Sequence, residues 1–200
     1  MNLPNSLSVT RIFLVPLLVV VLLTKFEGRM IFGVRKELIG AAIFGLAALT
    51  DWLDGYLARR RKQVTALGQF IDPLADKLLT IAAFISLLQM GLVQAWMVAI
   101  IIGREFAVTA LRAFASARGV TMPASRLGKV KMVAQVVAIL ALILGHDHLA
   151  GFVVIGKIAL WVVIVTALLS AADYFRRFGM FLNPKVVPLP PSASKARRAG

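Results

Sequence analysis

The chain has 200 residues, 60% of them hydrophobic and only 16% charged, with a mean hydropathy of +0.86. Soluble domains run about 45–50% apolar and about 25% charged, so this composition excludes a soluble enzyme and a disordered chain, while the lack of any cysteine excludes a disulfide scaffold, thiol catalysis and cysteine-ligated zinc. The net charge of +14, from 23 Lys+Arg against 9 Asp+Glu, calls for an anionic partner, and at this hydropathy the partner is a membrane and not nucleic acid.

A membrane-crossing helix needs roughly 20 mostly apolar residues, and six such segments are predicted in chain order. Asn2 to Thr10 carries no basic cluster, and Arg11 leads into an apolar run without a small-residue cleavage site. The first span, Ser8 to Thr24, is therefore expected to be retained. A polar stretch, Lys25 to Glu37, precedes the second span, Leu38 to Ala58. The uncharged stretch Leu78 to Gly103 is too long for one untilted helix. Gly91-Leu92-Val93-Gln94 supplies a hairpin turn, dividing it into a third span, Ile71 to Met90, and a fourth, Ala95 to Ala115. The fifth runs from Leu127 to Leu144 and the sixth from Phe152 to Phe175. The tail from Asn183, with Pro184, Pro188, Pro190, Pro191, Lys195, Arg197 and Arg198, cannot hold a core. The expected organisation is one membrane domain over 1–182 and a mobile basic, proline-rich tail over 183–200.

Loop charges set the expected orientation. Arg59-Arg60-Arg61-Lys62, then Arg118, Arg126, Lys129 and Lys131, then Arg176, Arg177 and the tail all fall on one side. The other side holds Lys25, Arg29, Arg35, Lys36 and Lys157, diluted by Glu27 and Glu37. The prediction is an all-α integral membrane protein with six transmembrane helices and both termini cytosolic. His146-Asp147-His148 falls on the far side and reads as a solvated loop.

Acidic residues stand where lipid would penalise them. Asp51 and Asp54 close the second span, and Asp72 and Asp76 open the third. A carboxylate deep in a bilayer costs roughly 2.5–3.5 kcal/mol, so four unpaired ones would cost on the order of 10 kcal/mol. The spacings of three and four put each pair on one helical face, and Gly55, Gly68 and the basic run between them let the third span fold back on the second. Four carboxylates then gather at the cytosolic rim. Hard divalent cations take oxygen ligands and leave positions for substrate phosphates, and two such ions about 4 Å apart are a recurring device for displacement at phosphorus. Each acid alone has a simpler reading: Asp72 before Pro73 suits a helix start, and Asp51 or Asp54 could pair with Arg59. Those readings do not account for four acids with glycines between them.

The run Asp51-x-x-Asp54-Gly55-x-x-Ala58-Arg59, eight residues, Gly68, three residues, Asp72, three residues, Asp76 resembles the signature of the CDP-alcohol phosphatidyltransferase family at every defined position. The resemblance implies that Asp51, Asp54, Asp72 and Asp76 hold two divalent cations, Mg²⁺ or Mn²⁺. It further implies that Asp76 is the general base for the acceptor hydroxyl, and that Asn5, Asp51, Gly55, Ala58, Arg59 and Gly68 bind CDP-diacylglycerol entering from the lipid. The chemistry suits the inventory, because transfer at phosphorus relies on alignment and charge neutralisation and only the acceptor needs a base. Direct displacement is expected, since no further nucleophile is evident.

The acceptor is read elsewhere. Arg104, Glu105 and Arg112 interrupt the fourth span, and Arg118, Ser125, Arg126, Gly128, Lys129 and Lys131 follow it. Intramembrane arginines face a cavity or a partner, and a cationic pocket selects an alcohol that itself carries phosphate. Arg104-Glu105-Phe106, Ala110-Leu111-Arg112, Gly128-Lys129-Val130-Lys131 and the opening Leu3-Pro4-Asn5 to Thr10-Arg11 are similar to family members that use glycerol 3-phosphate, with Ser8 standing where threonine is expected. That likeness implies acceptor-phosphate contacts from Arg11, Arg104, Arg112, Arg118, Lys129 and Lys131, and the products phosphatidylglycerophosphate and CMP. It also implies a homodimer among membrane lipids in a bacterial cytoplasmic (inner) membrane. A simpler reading has Glu105 only neutralising Arg104 or Arg112, and the basic loop orienting the chain and touching anionic lipid. Two alternatives stand beside this reading: a sibling transferase using inositol phosphate or phosphatidylglycerol, and a divalent-cation carrier, since intramembrane carboxylates also line ion paths.

Overall fold

The computed structural model describes the backbone of residues 3–24, 30–31, 33–61, 66–117, 126–146 and 150–182. Within these, the side chains at 3–9, 51–61, 66–74, 76, 126–127, 129, 150 and 177–182 lie outside the description. Six helices account for nearly all of it: α1 Leu3–Leu23, α2 Lys36–Arg61, α3 Ala66–Gln89, α4 Ala95–Ala117, α5 Arg126–Gly145 and α6 Ala150–Leu182. The polar stretch after α1 holds a small departure from the all-α expectation. Here β1 (Met30–Ile31) and β2 (Val34–Arg35) pair antiparallel, with Met30 opposite Arg35 and Ile31 opposite Val34.

The helix ends follow from local chemistry. Lys36 Nζ donates to the carbonyls of Leu22 at 2.9 Å and Thr24 at 3.2 Å, supplying a cation to the last turn of α1, where carbonyls lack intrahelical partners. The predicted hairpin turn between α3 and α4 is a Schellman closure. Leu92 N–H donates to Leu87 O and Gly91 N–H to Leu88 O, both at 3.0 Å, with Gly91 at φ 75°. A Cβ at Gly91 would meet nothing within 4 Å, so any penalty there is purely conformational. Gly91→Ala is expected to lower stability by about 1 kcal/mol, read as a lower thermal midpoint of the detergent-solubilised protein with its activity at 25 °C retained.

Two helices begin five residues earlier than the apolar pattern predicts. α1 starts at Leu3, which places Asn5, Ser8 and Arg11 on the helix, and α3 starts at Ala66 and not near Ile71. Polar residues can extend a helix past the hydrophobic slab because helical hydrogen bonding is indifferent to the side chain's polarity. The same reason carries α2 through its arginines to Arg61 and α6 to Leu182. One consequence bears on the aspartates: Asp72 and Pro73 lie inside α3, so Asp72 does not cap a helix start, and Pro73 removes an interior backbone donor.

All six helices contribute to one core, including Leu18 and Leu22 of α1, Phe44 of α2, Phe84 of α3, Ile101 of α4, Ile139 and Leu142 of α5, and Val163 of α6. The most extensive packing is α5 on α6, followed by α1 on α3 and α1 on α2. Gly156 of α6 permits the close approach to α5: a Cβ there would come within 2.7 Å of the Leu142 side chain and 3.0 Å of its backbone nitrogen. Among the described residues, α3 packs chiefly on α1 and meets α2 over a small area, so α1 is the common neighbour of the two aspartate-bearing helices. Two buried hydroxyls are satisfied within their own helices, as an apolar surround favours: Ser86 donates to Ala82 O at 2.8 Å and Thr166 to Val162 O at 2.6 Å.

The outer surface of the described residues carries many large apolar side chains, with Phe13 71%, Phe106 64% and Val133 65% exposed. Among the described residues, Gly151–Arg176 is the one helical segment both long and apolar enough to cross a bilayer unaided. Thr10–Leu23, Lys77–Gln89 and Val130–Gly145 are shorter apolar helical stretches.

Candidate active site

The four signature aspartates occupy matched positions on consecutive helices. Asp51 and Asp76 each stand ten residues from the end of their helix that faces the 62–65 connection, Asp54 seven and Asp72 six. At 1.5 Å of rise per residue these are distances of about 15, 15, 10 and 9 Å along the helix axes. The donor set, four carboxylates on two helices joined by four residues, has the hard oxygen chemistry that divalent cations take. The side chains of Asn5, Asp51, Asp54, Ala58, Arg59, Asp72, Asp76 and Lys129, like the surroundings of Gly55 and Gly68, lie outside the described residues, as does Arg118 altogether. Among the described residues no cluster of three or more His, Asp or Glu could hold a metal.

The residue after Asp76, Lys77, lines a cavity that carries several charged side chains. This cavity, of about 300 Å³, lies among α3, α4, α5 and α6, with Lys77, Thr109 and Arg112 toward its exposed side and Phe84, Ile101 and Gln135 at its buried side. Three of the predicted acceptor-site cations line it: Arg104, Arg112 and Lys131. Glu105 and Arg112, seven apart, share the lining face of α4, as helical periodicity requires. Arg104 is turned about 100° from Glu105, yet its guanidinium reaches back to the same cavity. It donates from Nη1 to Glu105 Oε1 at 2.8 Å and from Nη2 to Ser170 Oγ of α6 at 2.6 Å.

Glu105 is the junction of this network. The oxygen that accepts from Arg104 also accepts from Lys131 Nζ of α5, so one carboxylate neutralises a cation from its own helix and one from the next. Lys131 was not among the partners expected for Glu105; only the tertiary arrangement brings them together. Arg104, Glu105 and Lys131 have side chains 9%, 18% and 7% exposed, a desolvation that a paired arrangement can sustain and an unpaired one cannot. Toward the open side, Lys77 Nζ donates to Thr109 Oγ1, and Thr109 Oγ1 donates to Glu105 O at 2.6 Å.

Two buried donors in the cavity wall have no acceptor: Arg104 Nε and Gln135 Nε2. Buried donors are nearly always satisfied, and the cavity is where an acceptor would sit. Arg11 of α1 is buried at 2% exposure but is not part of the cavity wall. Lys77, Thr109, Gln135 and Tyr174 are lining residues that the sequence reading did not single out. Gln135 had a signal, being the one strongly polar residue in the apolar run after Lys131 and one helical turn from it; Lys77 adjoins the signature; Thr109 and Tyr174 had none.

A helical scaffold with this aspartate signature, and a cavity lined by cationic side chains that begins one residue after it, fits a lipid-handling transferase class, and residues 1–169 match the family model for CDP-alcohol phosphatidyltransferase. The chain belongs to the CDP-alcohol phosphatidyltransferase family, a family of membrane transferases. It is 44% identical over 184 residues to the CDP-diacylglycerol–glycerol-3-phosphate 3-phosphatidyltransferase of Bacillus subtilis (strain 168), covering 88% of this chain and 94% of that one. Proteins of the same name from Rickettsia typhi and Pseudomonas fluorescens are 38% and 34% identical, covering 88% of this chain in both cases and 96% and 89% of the relatives.

Proposed function

We propose that this chain transfers the phosphatidyl group of CDP-diacylglycerol to a hydroxyl of sn-glycerol 3-phosphate, releasing CMP, as a step of phospholipid biosynthesis. The observation that carries the choice of acceptor is the cavity lined by Lys77, Arg104, Arg112 and Lys131, which begins one residue after Asp76. Its cations suit a small phosphorylated alcohol and give an uncharged one nothing to bind. The names of the relatives point to the same pair of substrates.

Asp51, Asp54, Asp72 and Asp76 would hold two divalent cations, Mg²⁺ or Mn²⁺, as the family's use of such ions suggests. When bound, these ions would neutralise the diphosphate of the lipid nucleotide. Asn5, Gly55, Ala58, Arg59 and Gly68 would seat that nucleotide, the glycines admitting it close to the backbone. Lys129 and Arg118 would add contacts to the acceptor phosphate. Asp76 takes the proton of the acceptor hydroxyl; the freed oxygen forms a bond to the phosphatidyl phosphorus; the bond from that phosphorus to CMP breaks, and CMP leaves with its electron pair. The six helices would all span the bilayer as a multi-pass unit over 1–182, with both termini cytosolic and the site at the cytosolic rim of a bacterial inner membrane. The protein would act there as a homodimer. Membership of a transferase family sets aside a cation carrier, and the sibling reading, with inositol phosphate or phosphatidylglycerol as acceptor, is decided by assay.

Purified protein given CDP-diacylglycerol and Mg²⁺ should release CMP with glycerol 3-phosphate at a rate at least about 100-fold above that with plain glycerol, because a site built to bind an anion rejects the analogue without it. Faster release with inositol phosphate or phosphatidylglycerol would overturn the acceptor assignment.

A further inference from the structure

The inner end of the cavity is built differently from its mouth. Along α4, Thr109 and Arg112 are exposed, Glu105 lies one turn further in, and Ile101 another turn on is 2% exposed. Along α5 the same direction leads from Gly128 through Lys131 to Gln135, both of the latter 6% exposed, and then to Ile139 and Leu142 of the core. Phe84, fully buried, closes the α3 side. Lys77, which follows Asp76, lies toward the mouth with Thr109. The closed end therefore holds an apolar floor with one amide donor in it, Gln135 Nε2, and the unpaired Arg104 Nε beside the Glu105 junction.

We propose that the acceptor enters this cavity phosphate first and that Gln135 is a specificity-determining residue at its inner end, donating its side-chain N–H to a terminal phosphate oxygen. The inference rests on the acceptor reading above and deepens it. A phosphate monoester has three non-bridging oxygens, enough to accept from Gln135 Nε2, Arg104 Nε and Lys131 Nζ together. An unphosphorylated alcohol would leave the two orphan donors desolvated and unmet, the arrangement that discriminates most strongly. A phosphodiester carries a substituent on both sides of phosphorus and cannot end against the floor made by Phe84 and Ile101. With the phosphate inward, the free hydroxyls of the acceptor point to the mouth, where α3 carries Asp76.

The test uses Gln135→Met, which keeps length and approximate volume while deleting the amide's carbonyl and NH₂, and Gln135→Glu, which replaces the donor by an anion. In Mg²⁺-supported CMP-release assays on the full-length protein, Gln135→Met should raise KM for glycerol 3-phosphate about tenfold or more, and Gln135→Glu should raise it further. KM for CDP-diacylglycerol should stay within about twofold of wild type in both, a split that a merely structural role would not produce. Thermal stabilisation of the protein by glycerol 3-phosphate alone should shift to correspondingly higher ligand concentration in both variants. Unchanged glycerol 3-phosphate dependence in Gln135→Met, or an equal rise in KM for both substrates, overturns the role of Gln135 while leaving the transferase reading intact. Failure of the wild-type protein to use or bind glycerol 3-phosphate overturns both.

Discussion

Asp76→Asn is expected to reduce CMP release by at least about 1,000-fold, since a positioned general base alone is worth about 10²–10⁴ and the same carboxylate would also contribute to holding a cation. Three carboxylates of the signature remain in that variant, so binding of CDP-diacylglycerol, measured by equilibrium titration with the detergent-solubilised protein, should persist. The position of Asp76 gives the prediction its specificity. It lies on α3 immediately before Lys77, which reaches the cavity proposed for the acceptor, whereas Asp51 and Asp54 lie on α2, which contributes nothing to the cavity wall among the described residues. Near-normal turnover in Asp76→Asn would remove it from the role of base. Loss of CDP-diacylglycerol binding along with turnover would make it chiefly a nucleotide-site residue.

Glu105→Ala is expected to be the most destabilising single change in the cavity, by about 3 kcal/mol. The substitution leaves the Arg104 guanidinium and the Lys131 ammonium side by side and largely desolvated, with the shared counter-charge gone. Arg104 would retain its bond to Ser170, which does nothing for the repulsion. The readout is the thermal midpoint of the solubilised protein. Adding Lys131→Met to Glu105→Ala should recover much of the lost stability by removing the second cation, but should leave the KM for glycerol 3-phosphate high. An unchanged midpoint in Glu105→Ala would show that the pairing contributes nothing to the fold. Recovery of both stability and acceptor affinity in the double variant would show that Lys131 has no part in binding.

Both expectations depend on a division of labour between helices. α2 and α3 carry the carboxylates in matched positions from their connection, while α3, α4, α5 and α6 enclose the cationic cavity. α3 is the element common to the two, with Asp76 on one side of the boundary and Lys77 on the other. On the proposed assignment a lipid nucleotide and a water-soluble alcohol must meet at one phosphorus, and a helix shared between their two sites would keep the separation fixed.

Much of this was readable from the chain itself because it depends on local periodicity and charge. Six apolar segments divided by polar stretches and turns, the turn at Gly91, and aspartates three and four apart are properties of consecutive residues, and helical geometry converts them directly into faces and ends. The aspartate signature is likewise linear, so the family could be recognised without coordinates. Helix boundaries were less legible: the start of α3 at Ala66 and the extension of α6 to Leu182 fall in polar sequence, where hydropathy carries no signal although the backbone still favours helix. The tertiary structure alone decided that Lys131 and Arg104 share Glu105, that Lys77 meets Thr109, that Gln135 and Tyr174 face the same cavity, and that Arg11 does not. The Lys131–Glu105 and Lys77–Thr109 pairings join residues 26 and 32 positions apart. No rule of spacing along one helix can specify them, because they are set by which faces of α3, α4, α5 and α6 turn toward one another when the core closes.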